Sequence, residues 1–132
     1  MLAEAVIYAL LNGAGAVTAI AGTRIYPAIA PENTAAPLIT IDLVSSVRQA
    51  RIDALANTHL VLARVQVNLV AADYVTVKAM RAAVVAACQF QRGMISGASV
   101  ASVLPSGDGP ITFDGALGLF HQPIDFSLSL FE

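Results

Sequence analysis

The chain has 132 residues, a length that buries one core and predicts a single domain over residues 1–132. It is 57% apolar and only 12% charged, where about 25% is usual, and its net charge of −2 with scattered arginines leaves no nucleic-acid footprint. A single cysteine, Cys88, excludes an intramolecular disulfide. So few charges fit either a membrane protein or a subunit covered by its neighbours. Obligate interfaces resemble a domain core cut in half, which favours the second.

The N-terminus supports that choice. Its apolar run carries Glu4 where a signal peptide needs positive charge, the first basic residue is Arg24, and Asn12-Gly13 with Gly15 interrupts it. A spanning helix needs about 20 apolar residues in succession. The expectation is no targeting segment and no membrane span.

In chain order, Met1 to Leu11 reads as an amphipathic helix with Leu2, Ala5, Val6, Ala9 and Leu10 on one side, stopped at Asn12-Gly13. A short helical turn over 16–21 and an extended, proline-flanked segment over 23–31 follow; Pro27 and Pro31 keep that segment at an edge. Leu38 to Ser45 alternates as a one-sided strand. Residues 46–58, with Arg48 and Arg51, are either a long hairpin connection or a pair of strand extensions.

The clearest signal runs from His59 to Arg92. Val61, Ala63, Val65, Val67, Leu69 and Ala71 alternate with Arg64, Gln66 and Asn68, a strand with one buried face. At Asp73, a good N-cap, the period changes: Tyr74, Val77, Met80, Val84, Ala87 and Cys88 recur at helical spacing. Gly93 stops the helix. Ala98 to Leu104 is a shorter strand, and Pro105 to Pro110 is a turn cluster that continues loosely to Gly118. Leu119 to Phe131 is the last strand, with Pro123 marking a bulge or an edge. The predicted fold is α+β: a two-layer sandwich of a four-stranded, mostly antiparallel sheet and helices, in the order α-β-β-α-β-β.

No motif carries chemistry. Asn12-Gly13-Ala14-Gly15 follows no strand, and Thr18 breaks the dinucleotide-loop spacing. Ser106 to Gly109 lacks the closing glutamate of a calcium loop. His59 and His121 have no second ligand nearby in sequence, and no carboxylate pair stands out as an acid–base dyad. Cys88 lies on the helix's apolar stripe and reads as a small buried hydrophobe. The sequence therefore predicts no catalytic residue, no metal and no cofactor. Arg48, Arg51 and Arg64, all of the first hairpin or its extension, are solvated surface, or contact a neighbouring acidic subunit or DNA passing nearby. Leu60, Leu62 and Val70 are apolar on that strand's otherwise polar side.

Several segments together resemble the tail-completion proteins, or tail terminators, of long-tailed bacteriophages. They are Ala9-Leu10-Leu11, Ala19-Ile20-Ala21-Gly22, Arg24-Ile25-Tyr26-Pro27, Ala30-Pro31 and Pro37-Leu38-Ile39-Thr40-Ile41. Ala63-Arg64-Val65-Gln66-Val67, an Ala-x-Tyr helix start at Ala72, and Ile124-Asp125-Phe126-Ser127-Leu128 complete the series. The resemblance implies a non-enzymatic virion protein forming a ring, usually of six copies, at the head-proximal end of the tail tube. Such a ring ends tube polymerisation and joins the tail to the head connector in the neck. DNA passes through its lumen, and assembly takes place in the host bacterial cytoplasm. Its partners would be further copies of itself, the tail tube protein and the connector or neck proteins, with no membrane. Arg48, Arg51, Leu60, Leu62 and Arg64 are then candidate subunit or partner contacts, and Asp108 and Asp114 candidates for another docking face. The alternatives are a different neck or tube component, or a small α+β enzyme or ligand-binding domain.

Overall fold

In a computed structural model that describes residues 2–31, 34–49 and 59–131, three helices pack on one side of a curled, mixed sheet. The helices are α1 (Leu2–Asn12), α2 (Gly15–Ala21) and α3 (Tyr74–Cys88). The strands are β1 (Ile25–Pro27), β2 (Leu38–Gln49), β3 (Leu60–Ala71), β4 (Gly93–Ile95), β5 (Ala98–Asp108), β6 (Thr112–Asp114) and β7 (Leu119–Phe131). The spatial order is β1-β2-β3-β7-β5-β4, with β6 paired to β7 beyond the end of β5.

The α+β class holds, but among the described residues the sheet has seven strands rather than four, and it is mixed because β1 runs parallel to β2. The extra strands β1, β4 and β6 have three residues each, too short to print a period-two pattern. The four long strands are antiparallel to one another, joined β2 to β3, β3 to β7 and β7 to β5. Residues 46–49 extend β2; the rest of the 46–58 segment lies outside the described residues.

Of the predicted turn from Pro105 to Pro110, the part up to Asp108 is the end of β5, with Pro105 opposite Phe126. Pro123 sits inside β7 where the flanking strand is interrupted: β5 ends at Asp108 opposite Ile124, and β6 begins at Thr112 opposite His121. No neighbour there needs the N–H that proline lacks. The chain crosses this gap through Gly109, whose N–H donates to the Pro123 carbonyl at 2.8 Å; a Cβ on Gly109 would run into the Pro123 ring.

Asp73 caps α3 as its position predicts, accepting the Val75 N–H at 3.3 Å. Val77, Met80, Val84 and Cys88 are the buried stripe, whereas Tyr74 turns out to be exposed. In α1 the buried side is Ala3, Val6, Ile7 and Leu11. That phase differs from the predicted one because a helix that is apolar nearly all round has no polar side to fix it. These helices cover Ile39, Ile41, Val65, Val67, Leu69, Ile124, Phe126 and Leu128 on the inner side of the sheet. The sheet curls around α1: Ser96, in the β4–β5 turn, and Tyr26 and Pro27 of β1 line one groove with Glu4 and Tyr8. No single described helix is long and apolar enough to cross a membrane, and α1 and α2 meet at 85°.

Candidate assembly surface

With the helices on one side, the other side of the long strands is bare. Strand register fixes what it presents, because directly opposed residues point the same way. One row across the sheet is Val47, Leu62, Ser129 and Ser102; the next is Ser45, Arg64, Ser127 and Leu104. Serines line β7 across both rows, with Leu62 and Arg64 beside them on β3 and one aliphatic residue each, Val47 and Leu104, on the flanking strands β2 and β5. A shallow depression of about 350 Å³ between β2, β3 and β7 is lined by Ser45, Val47, Leu62, Arg64, Ser127 and Ser129.

Val47 reaches this face only through a bulge. Before it, Ile39, Ile41 and Leu43 oppose the inward residues Leu69, Val67 and Val65. Between Leu43 and Ser45 the register slips by one, so Val44 has no opposite number and Ser45 and Val47 join the outer side. Val47 is then 55% exposed and Leu62, directly opposite, 41%. This leaves two apolar side chains side by side in solvent.

The polar side chains on this side bond to one another. Arg64 donates to Asp125 at 2.8 Å, Gln66 reaches the same carboxylate, and Asn68 donates to Asp42 at 2.8 Å. The face therefore carries Arg64 neutralised by Asp125, with the Asp42 carboxylate held by a neutral amide.

Among the predicted contact residues, Leu62 and Arg64 share this face. Leu60 is half-buried at the same end, opposite Gln49 and Phe131. Arg48 opposes Val61 and so projects on the helix side, where its side chain is exposed. Arg51 lies outside the described residues. Asp108 and Asp114 stand towards the opposite end of the strands, and each has a structural contact. Asp108 is bridged to Arg81 of α3 at 2.7 Å, and Asp114 accepts the Ala116 and Leu117 N–H groups in the β6–β7 turn.

Sequence reasoning missed Val47, and with it an aromatic cluster at the far end. Phe120 stacks tilted on Phe113 at 4.7 Å and edge-on to Tyr74 at 6.1 Å, and Lys78 sits 5.3 Å from the Tyr74 ring. Phe113 and Leu117 stay mostly exposed there. Residues brought together by pairing between distant segments leave no local signal.

Among the described residues no three of His, Cys, Asp and Glu cluster as metal ligands. Cys88 is buried, and burial pushes its thiol from 9.0 up to about 12. A thiol held protonated in the fold stabilises it fully below about pH 9, and that contribution is lost as pH rises towards 12. Iodoacetamide at about pH 8 is expected to leave Cys88 unmodified in the native chain and to alkylate it in guanidinium, as read by intact mass. Rapid alkylation of the native chain would show an accessible thiolate instead.

The family model described as Tail completion protein gp17 matches residues 5–127. No curated protein sequence matches the chain. Among solved structures, a chain from the virion of a native gene transfer agent (GTA) particle superposes with a TM-score of 0.75 at 17% identity, covering 98% of this chain and 94% of that one. At such identity the likeness establishes a shared fold.

Proposed function

The chain belongs to the tail completion protein gp17 family, whose members are structural proteins of phage tails and not enzymes, and we propose that it is the subunit of a ring that terminates the tail tube. In this reading six copies close a ring at the head-proximal end of the tube, stop its polymerisation and present the other side to the head connector. DNA crosses the lumen. The neck of the virion is the ring's final location, after assembly in the host cytoplasm.

The observation that carries the proposal is the bare sheet face with Val47 and Leu62 at its flank, in a chain this poor in charge. A cyclic ring needs a head-to-tail contact that closes by rotation, and burying such a face against the next copy supplies the area. Arg64 and Arg81 are each partly neutralised by a carboxylate, which weakens their pull on phosphate. Strong phosphate contacts would retain DNA that has to pass.

Tube growth tests the proposal. Added at about one ring per tube end, the chain should stop purified tail tube protein from elongating, with tube lengths read by negative-stain microscopy. Tubes that keep lengthening at saturating chain would sink the terminator assignment while leaving a tail protein.

A further inference from the structure

The ring reading leaves the outer edge of β2 unused. β1 covers only its beginning: Ile25–Pro27 pairs with Ile39–Ile41, and the Ala28 N–H donates to the Ile41 carbonyl at 2.8 Å. From Leu43 to Val47 every residue is exposed, and no described strand lies on the side away from β3. Ile39 donates its N–H to Arg24, so Ile39 and Ile41 both turn their backbone groups outward. Carried through the bulge, the alternation aims those of Leu43 and Ser46 outward as well.

The other edges are blunted by the means proteins commonly use. β1 and β4 have three residues each, and β1 ends in Pro27. Beyond β4, the Val103 carbonyl of β5 takes the Phe90 N–H at 2.7 Å, Pro105 has no N–H, and two register shifts break the strand. β2 from Leu43 to Val47 has one bulge, no proline and no charge, with Leu43, Val44 and Val47 exposed.

We propose that this edge receives an extended segment of a different protein of the tail, adding a strand to the sheet. The inference rests on the ring reading. A head-to-tail ring that paired strands would need a second long, open edge on the same chain, and the other described edges are the three-residue strands β1, β4 and β6 and the broken, proline-bearing end of β5. Pairing β2 with β2 is two-fold and closes a pair rather than a ring. Five residues of strand span about 17 Å, and with a sheet about 10 Å thick they cover roughly 170 Å². A stable free-standing complex buries about 800 Å² per partner. The edge is thus too small to hold a dimer and suits a joint made inside a larger assembly. The fitting segment is uncharged, with small or aliphatic side chains beside Val44 and Val47.

Hydrogen exchange on the wild-type chain, free and joined to tails of its own particle, reads the edge directly. The amides of Leu43 and Ser46 should exchange readily in the free ring and slow by about tenfold or more in the tail. S46P removes one outward donor and no bond to β3, so its rings should form as in wild type while joining to tails falls by about tenfold. Protection already present in the free ring, a dimer linked through β2, or normal joining by S46P would overturn the proposal. Should S46P not fold, the wild-type exchange comparison decides alone. A wild-type chain that forms no ring defeats the ring reading, and exchange in the free chain against the tail still decides the edge.

Discussion

Replacing Val47 and Leu62 together with lysine is expected to abolish ring formation and leave a folded monomer. The two side chains oppose each other across β2 and β3, both largely in solvent on the helix-free side. Lysine there can lay its stem along the sheet and keep its ammonium wet, so each substitution should cost the monomer no more than about 0.5–1 kcal/mol. In an assembled face the same ammonium groups lose water without a partner, at several kcal/mol per ion. The difference between the two settings gives the prediction its sign. Thermal melting should shift by only a few degrees while light scattering reports loss of the oligomer. V47T with L62M, which keeps size and neutrality, should retain the ring. A doubly charged variant that still assembles would remove this face from the contact.

Phe126→Ala should have the largest effect on the chain itself. Phe126 is fully buried in β7, between Val65 of β3 and Pro105 of β5, at the centre of the sheet beneath the helices. Truncation loses the transfer free energy of the ring and leaves a cavity that paired strands on both sides cannot collapse, a cost of about 3–5 kcal/mol. Against a total of about 5–15 kcal/mol that is a large fraction. Melting should fall by roughly 10–20 °C. Leu104→Ala in β5 is the control, since Leu104 is half-exposed on the outer side and should cost under about 1 kcal/mol. Equal losses for the two would contradict the assignment of inner and outer sides.

How far the fold could be read from the sequence followed the length and evenness of each period. Val61 to Ala71 alternates without interruption, and β3 follows it over its whole length. The Asp73 cap and the apolar spacing after it gave α3. What failed had physical causes. Three-residue strands are fixed by their neighbours rather than by their own pattern, and Pro105 belongs to a strand because its missing N–H faces no paired partner. Apolar α1 could not be phased. The clearest loss was Val47. Counted on from Ile39, Ile41 and Leu43 it belongs inside, and only the bulge at Val44 turns it out. Leu62 was legible because its strand has no bulge opposite β7, so an apolar residue among Arg64, Gln66 and Asn68 stood out. Asp108 and Asp114 read as loop acids, since nothing near either in sequence announces Arg81 or the turn amides.

The mass of the purified chain in solution tests the central claim most directly. Light scattering after size exclusion should give about 80 kDa, six times 13.6 kDa, with negative stain showing closed rings around a central hole. A species that stays at 13.6 kDa across concentrations, or one that grows into long cylinders, would contradict the account.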